Sequence, residues 1–271
     1  MAIDFKKDKR ITALINKEDK YYLPLFDLYT ITKDEATIPV MIEIPNIVAL
    51  LLNISDVANE RASKILNDLE ETMELVPVEK GKCYKFKNDT YNLREYDMLE
   101  NLFVSIVFAC SAVEAFVNNL IPIDFNYGEP KNKNEKTAVL ISSKEYIERN
   151  YSLDHKINKI LPLIYSFDED SYKNNQSDKA CWDKFVELIK HRDRIVHPKI
   201  EKTKLGKFSQ IKFLADIFHS GFNTELVKSS RELIKNLCEK IKQAPMNVRR
   251  SPHIPLEFLE HEATLQDYET F

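Results

Sequence analysis

Only four glycines occur in 271 residues, and this shortage constrains the chain more than any other feature. Globular chains carry roughly 7% glycine, because tight turns and phosphate-cradling loops need positive φ angles that glycine adopts most cheaply. Gly81, Gly128, Gly206 and Gly221 each stand alone. Neither G-x-G-x-x-G nor G-x-x-x-x-G-K-[ST] is present, so nucleotide binding through a glycine loop is excluded. With 44% hydrophobic and 30% charged residues, the composition points to a helix-rich globule. Its length allows a full core in one large domain or two smaller ones. Lys+Arg 39 against Asp+Glu 43 gives a net charge of −4, which is unremarkable.

Cys83, Cys110, Cys181 and Cys238 are widely spaced, with no C-x-x-C pair. Cys110 and Cys238 lie in apolar or amphipathic runs, where cysteine acts as a small buried hydrophobe. No apolar secretory segment opens the chain, so the expectation is a reduced, cytoplasmic setting rather than a disulfide framework. The most apolar stretch, Leu102–Val117, contains Ser105, Ser111 and Glu114. It falls short of about 18 uninterrupted apolar residues and is expected to be a buried helix, with no membrane partner.

The first 95 residues read as a mixed α/β region. YYLPLF and ATIPVMIEI carry Pro24 and Pro39, which restricts them to edge strands or extended segments. Asn46 is placed to cap a helix through NIVALLLN and onward to about Leu75, with a break expected near Ser55. VPVEKGKCYKF reads as a hairpin with Gly81 in its turn. From residue 96 to 245 the pattern is helical. A helix ends before Pro122, and the polar stretch NYGEPKNKNEK is expected to be a loop. Two short helices follow, SSKEYIERN and LDHKINKILPLIYSF, the second kinked at Pro162. FDEDSYKNNQSDK reads as a loop, and an amphipathic helix runs from Trp182 to about Val196. FSQIKFLADIFHS and ELVKSSRELIKNLCEKIK supply two more. Residues 246–271 form an extended acidic tail. The fold class expected is mainly α.

Charge is uneven. Lys179 to Lys212 holds ten basic residues against four acidic, a surplus of 10 − 4 = +6, whereas residues 251–271 hold five acids and no Lys or Arg. The basic stretch is either an ordinary solvated face or a phosphate-binding surface.

Within it lies CWDKFVELIKHRDRIVHPK, residues 181–199. At about 100° per residue, Trp182, Phe185, Val186, Ile189, Asp193 and Val196 share one helix face. That puts Asp193 in the apolar stripe, where a carboxylate is costly unless paired. Arg192 and His197 flank the stripe, and Pro198 disfavours helical geometry at His197. An arginine, a carboxylate and a histidine grouped at a helix end make a candidate active site. A second arginine–histidine pair, Arg149 and His155, straddles the break between two short helices with nothing apolar framing it. Ser111, Glu114 and Asn118 form a polar patch on the apolar helix. Glu114 pairing with Arg192, and Asn118 with Asp193, would satisfy that patch; a purely structural buried network is the alternative.

SAVEAFVN, then KINKILP, then W-x-x-F-x-x-L-I-x-x-R-D-R-I-V-H-P together resemble the HEPN superfamily of helical domains, over residues 96–245. The resemblance places the family's R-x4–6-H motif on Arg192 and His197. It implies a helical bundle that forms a homodimer, and a metal-independent endoribonuclease with RNA as partner in a toxin or phage-defence setting. No cofactor or metal is implied. His197 would transfer protons and Arg192 would bind the phosphate, with Asp193 and Glu114 orienting them. Lys190, His191, Arg194, Lys199 and Asn118 would bind substrate. Other family members are non-catalytic RNA- or protein-binding adaptors, the alternative reading. Family toxins controlled by a nucleotidyltransferase antitoxin have a tyrosine two positions after the histidine. Here that position is Lys199, which argues against that mode of control, though an antitoxin or defence partner of another kind remains an expectation.

Overall fold

The computed structural model describes residues 13–16, 21–24, 26–33, 36–43, 46–70, 73–78, 81–86, 92–132, 135–169, 172, 176–197 and 224–242. The architecture is mainly α. The longest elements are the helices α1 (Ile47–Glu70), α2 (Asn92–Asn119), α6 (Gln176–Val196) and α7 (Thr224–Lys242). Shorter ones are α3 (Lys144–Asn150), α4 (Leu153–His155) and α5 (Leu161–Tyr165). Among the described residues, eight strands pair in chain order as four antiparallel hairpins. These are β1–β2 (Ala13–Asn16, Tyr21–Pro24), β3–β4 (Phe26–Lys33, Ala36–Glu43), β5–β6 (Met73–Val78, Gly81–Phe86) and β7–β8 (Asn126–Asn132, Glu135–Ser143). In a two-stranded ribbon both strands are edges, so Pro39 sits within β4 opposite Thr30 without removing an interior ladder bond. Val78 faces Gly81, so Gly81 begins β6 instead of lying in the turn.

The chain divides into two compact units. One comprises Met1–Leu50, Ala112–Trp182 and Glu232–Phe271; the other, Leu51–Ser111 and Asp183–Arg231. In the second unit, Leu52, Ala62, Met98, Leu102, Phe185 and Leu188 are buried. The expected break in α1 does not occur. Asn46 caps the helix, its Oδ1 accepting from Ala49 N at 3.1 Å. Ser55 stays helical because its hydroxyl turns onto α2, donating to the Ser105 carbonyl at 2.9 Å. Arg94 pairs with Asp68 at 2.6 Å, and Arg231 of α7 pairs with Asp56.

In the first unit, Val113, Phe116, Ile147, Ile157, Leu161 and Leu237 are among the buried residues. Pro122 follows the end of α2, and two side chains take the carbonyls just beyond it: Tyr165 Oη donates to Leu120 O and Lys144 Nζ to Ile121 O, each at 2.7 Å. A lysine there also complements the helix dipole. By length and composition α2 is long and apolar enough to cross a membrane from Arg94 to Asn119, but half of its most apolar window is buried inside the protein.

Three further sequence expectations change. NYGEPKN is strand β7 and Glu135 and Lys136 begin β8, where a loop was expected; TAVLIS supplies the β-prone partner, and a register shift at Pro130/Asn132 absorbs the proline. The predicted kink in the 153–165 segment is a π-turn, Lys156–Ile160, where Leu161 N donates to Lys156 O. Pro162 in a continuous α-helix would meet the carbonyl of residue 158; the wider turn directly before it removes that conflict. Finally, α6 begins at Gln176, six residues before Trp182. The expected helix FSQIKFLADIFHS and the acidic tail lie outside the described residues.

Candidate functional site

The Arg–Asp–Arg–Ile–Val–His run occupies the last turns of α6. Its buried face comprises Cys181, Trp182, Phe185, Leu188 and His191, about one residue (100°) round from the predicted stripe. The apolar positions allow either face, and burial follows Leu188, which the predicted stripe omitted. Asp193 is therefore not in the core: its side chain is 55% exposed. His191 is 6% exposed, so it is a packed residue of this face and not a surface contact for RNA. It approaches Glu187 at 4.0 Å. Lys190 and Arg194 are exposed, and Lys199 lies outside the described residues.

Arg192 borders the buried face. Its Nε stands 3.1 Å from Asp193 Oδ1, close enough for charge attraction, but this buried N–H has no hydrogen-bond acceptor. The guanidinium is thus neutralised on one side without its donors being used up. His197 follows the helix, exposed, with its backbone N–H still bonded to Asp193 O at 2.9 Å. The helical register so extends to His197 even though Pro198 comes next. Chemically, this short stretch offers fixed cationic donors, an adjacent carboxylate and an accessible imidazole.

Glu114 and Asn118 belong to the other compact unit, where their polar patch meets a residue that sequence reasoning had passed over. Lys156, on the π-turn, is 1% exposed. Its ammonium donates to Asn118 Oδ1 at 2.9 Å and to Glu148 O at 2.8 Å. Burial pushes its pKa below the ordinary lysine range, and the charges of Glu114 and then Glu148 oppose that shift. Ser111 instead satisfies itself on its own helix, donating to Val107 O at 2.9 Å. The readable signal was the patch itself: three polar residues on an apolar helix need a donor, and KINKILP contains one.

Of the second pair, His155 is better framed than its sequence indicated, whereas Arg149 is 76% exposed. His155 lies against Tyr127 and Tyr151, with ring centroids 5.6 and 4.8 Å away. Among the described residues, no group of three His, Cys, Asp or Glu stands together as metal donors. Cys110, Cys181 and Cys238 are buried thiols. No family model, curated protein or solved structure matches this chain.

Proposed function

We propose that this protein is a metal-independent endoribonuclease of the HEPN type, with Arg192 and His197 as its catalytic pair. The observation that carries this reading is the end of α6: a half-buried arginine and, five positions on, an exposed histidine that is not part of the core. Polar groups that stabilise a fold are normally buried and satisfied. The exposed His197 and the 30% of the Arg192 side chain that reaches solvent are instead accessible to a ligand.

In the proposed reaction the ribose 2′-OH attacks the adjacent phosphorus. The P–O2′ bond forms and the P–O5′ bond breaks, leaving a 2′,3′-cyclic phosphate and a 5′-OH. The RNA brings its own nucleophile, so no metal is required. His197 moves the proton from the 2′-OH to the leaving 5′-oxygen as the general acid–base of the site. Arg192 binds the non-bridging oxygens and stabilises the charge building on phosphorus. Asp193 holds the guanidinium in place. Lys190 and Arg194 steer the backbone, which makes binding salt-dependent. The scheme assigns no role to Asn118, which accepts from Lys156, and needs none from Glu114. Homodimerisation, and a toxin or defence role, follow from the family resemblance alone.

The test is cleavage of matched RNA and DNA strands in excess chelator. RNA should be cut and DNA spared, since DNA lacks the 2′-OH. Cleavage of both at similar rates, or a strict requirement for added Mg²⁺, would overturn the mechanism.

A further inference from the structure

Four rings gather around the short helices that follow β8. Tyr127 lies at the start of β7, Tyr146 in α3, Tyr151 just after α3, and His155 at the end of α4. Tyr127 and Tyr151 meet edge to face at 5.6 Å, and Tyr146 and Tyr151 at 6.3 Å. The polar handles stay within the cluster: His155 Nε2 is 3.3 Å from Tyr127 Oη, and Ser142 Oγ is 3.3 Å from Tyr151 Oη. The rings themselves reach solvent. Tyr146 is 46% exposed, and the other three are half-buried. The platform is also firmly held, because the Lys156 ammonium ties the π-turn below His155 to the Glu148 carbonyl of α3.

Two of the carboxylates beside the rings are held by cations, which moderates the negative charge of the raw sequence. Glu145 is bridged by Arg149 at 3.0 Å, Glu148 lies 3.7 Å from Lys144, and Asp154 accepts from Asn158 at 3.1 Å. Glu145 and Glu148 thus have cationic partners, while Asp154 and the exposed Asp124 keep their negative charge, so the rings and Arg149 must supply the attraction. Arg149 is 76% exposed. An exposed pair such as Arg149–Glu145 is weak, so the guanidinium can exchange its carboxylate for a phosphate.

We infer that this cluster is a stacking surface for the unpaired bases of single-stranded RNA, with Arg149 on the backbone. The inference deepens the ribonuclease reading by supplying an RNA contact separate from Arg192 and His197. Aromatic faces accept any base, so recognition here is tolerant of sequence and sugar.

The probe is a fluorescent 2′-O-methyl oligouridylate about ten nucleotides long, which lacks the attacking hydroxyl and stays intact on the wild-type protein. Binding is read by anisotropy. Tyr146→Ala should weaken it about tenfold, the effect expected for one stacked base, and Tyr146→Phe should keep it. Tyr146→Lys separates stacking from simple charge attraction: stacking demands weaker binding, charge alone gives tighter. No binding by the wild type, or unchanged or tighter binding by the Ala and Lys variants, would overturn the inference. Ring-dependent binding by a protein that cuts no RNA would sink the ribonuclease reading and leave this surface standing.

Discussion

Replacing Lys156 with methionine keeps nearly the same side-chain volume and removes the ammonium. Two hydrogen bonds go with it, those to Asn118 Oδ1 and Glu148 O. Hydrogen bonds to charged groups contribute about 1.5–3 kcal/mol each, so their loss costs about 3–6 kcal/mol before any compensation. Methionine avoids the cost of burying a charge, which returns part of that sum. A net destabilisation of about 2–4 kcal/mol remains. At about 2–4 °C per kcal/mol for a chain of this size, the melting temperature should fall by about 5–15 °C, measured by far-UV circular dichroism. The pH dependence gives a second readout with a definite sign. Burial lowers the folded-state pKa of Lys156. Between that value and the ordinary one, the unfolded chain holds a proton that the folded chain has released, so stability rises with pH. Methionine has no such contribution, and the gap between wild type and variant should widen from neutral to alkaline pH. An unchanged or higher melting temperature, or a gap that narrows with pH, would refute the assignment of Lys156 as the lock between α2, α3 and the π-turn.

Asn46→Ala removes the α1 cap and should cost about 1 kcal/mol in denaturant unfolding; Asn46→Asp should restore most of it. Tyr165→Phe strips the buried donor from the Leu120 carbonyl and should cost about 1–3 kcal/mol, with faster amide exchange at the C-terminal end of α2 as its local signature. His197→Ala touches an exposed side chain and should leave stability within about 0.5 kcal/mol of wild type. Equilibrium urea unfolding checks it, and a larger loss would mean that His197 serves the fold.

The helices were legible because their apolar residues recur at helical spacing and their ends carry chemical markers. Asn46, Ser143 and Ser152 all accept from backbone N–H groups as caps, and Pro122 marks a stop. The β7 strand was not legible, because NYGEPKN is polar and breaks its own pattern with a proline; only pairing with β8 makes it a strand. On α6 the apolar residues fit two faces about 100° apart. Which one is buried depends on neighbours that local periodicity does not reveal, and so Asp193 was misplaced in the core and His191 on the surface. The π-turn had one local trace, Pro162. The Lys156–Asn118 contact spans 38 residues, and no local rule reaches that far. Arg192 and His197 were chosen by residue type and order and because both flanked the predicted stripe; with the buried face turned, Arg192 still borders it and His197 stands exposed.

Incubating total RNA with purified protein in EDTA, wild type beside His197→Ala, and mapping the product ends is the most direct test of the catalytic assignment. The expected result is wild-type cleavage to 2′,3′-cyclic phosphate and 5′-OH ends, with none from an equally stable His197→Ala protein. Cleavage that survives in the variant, ends of the opposite polarity, or no cleavage by the folded wild type across several RNAs would contradict it.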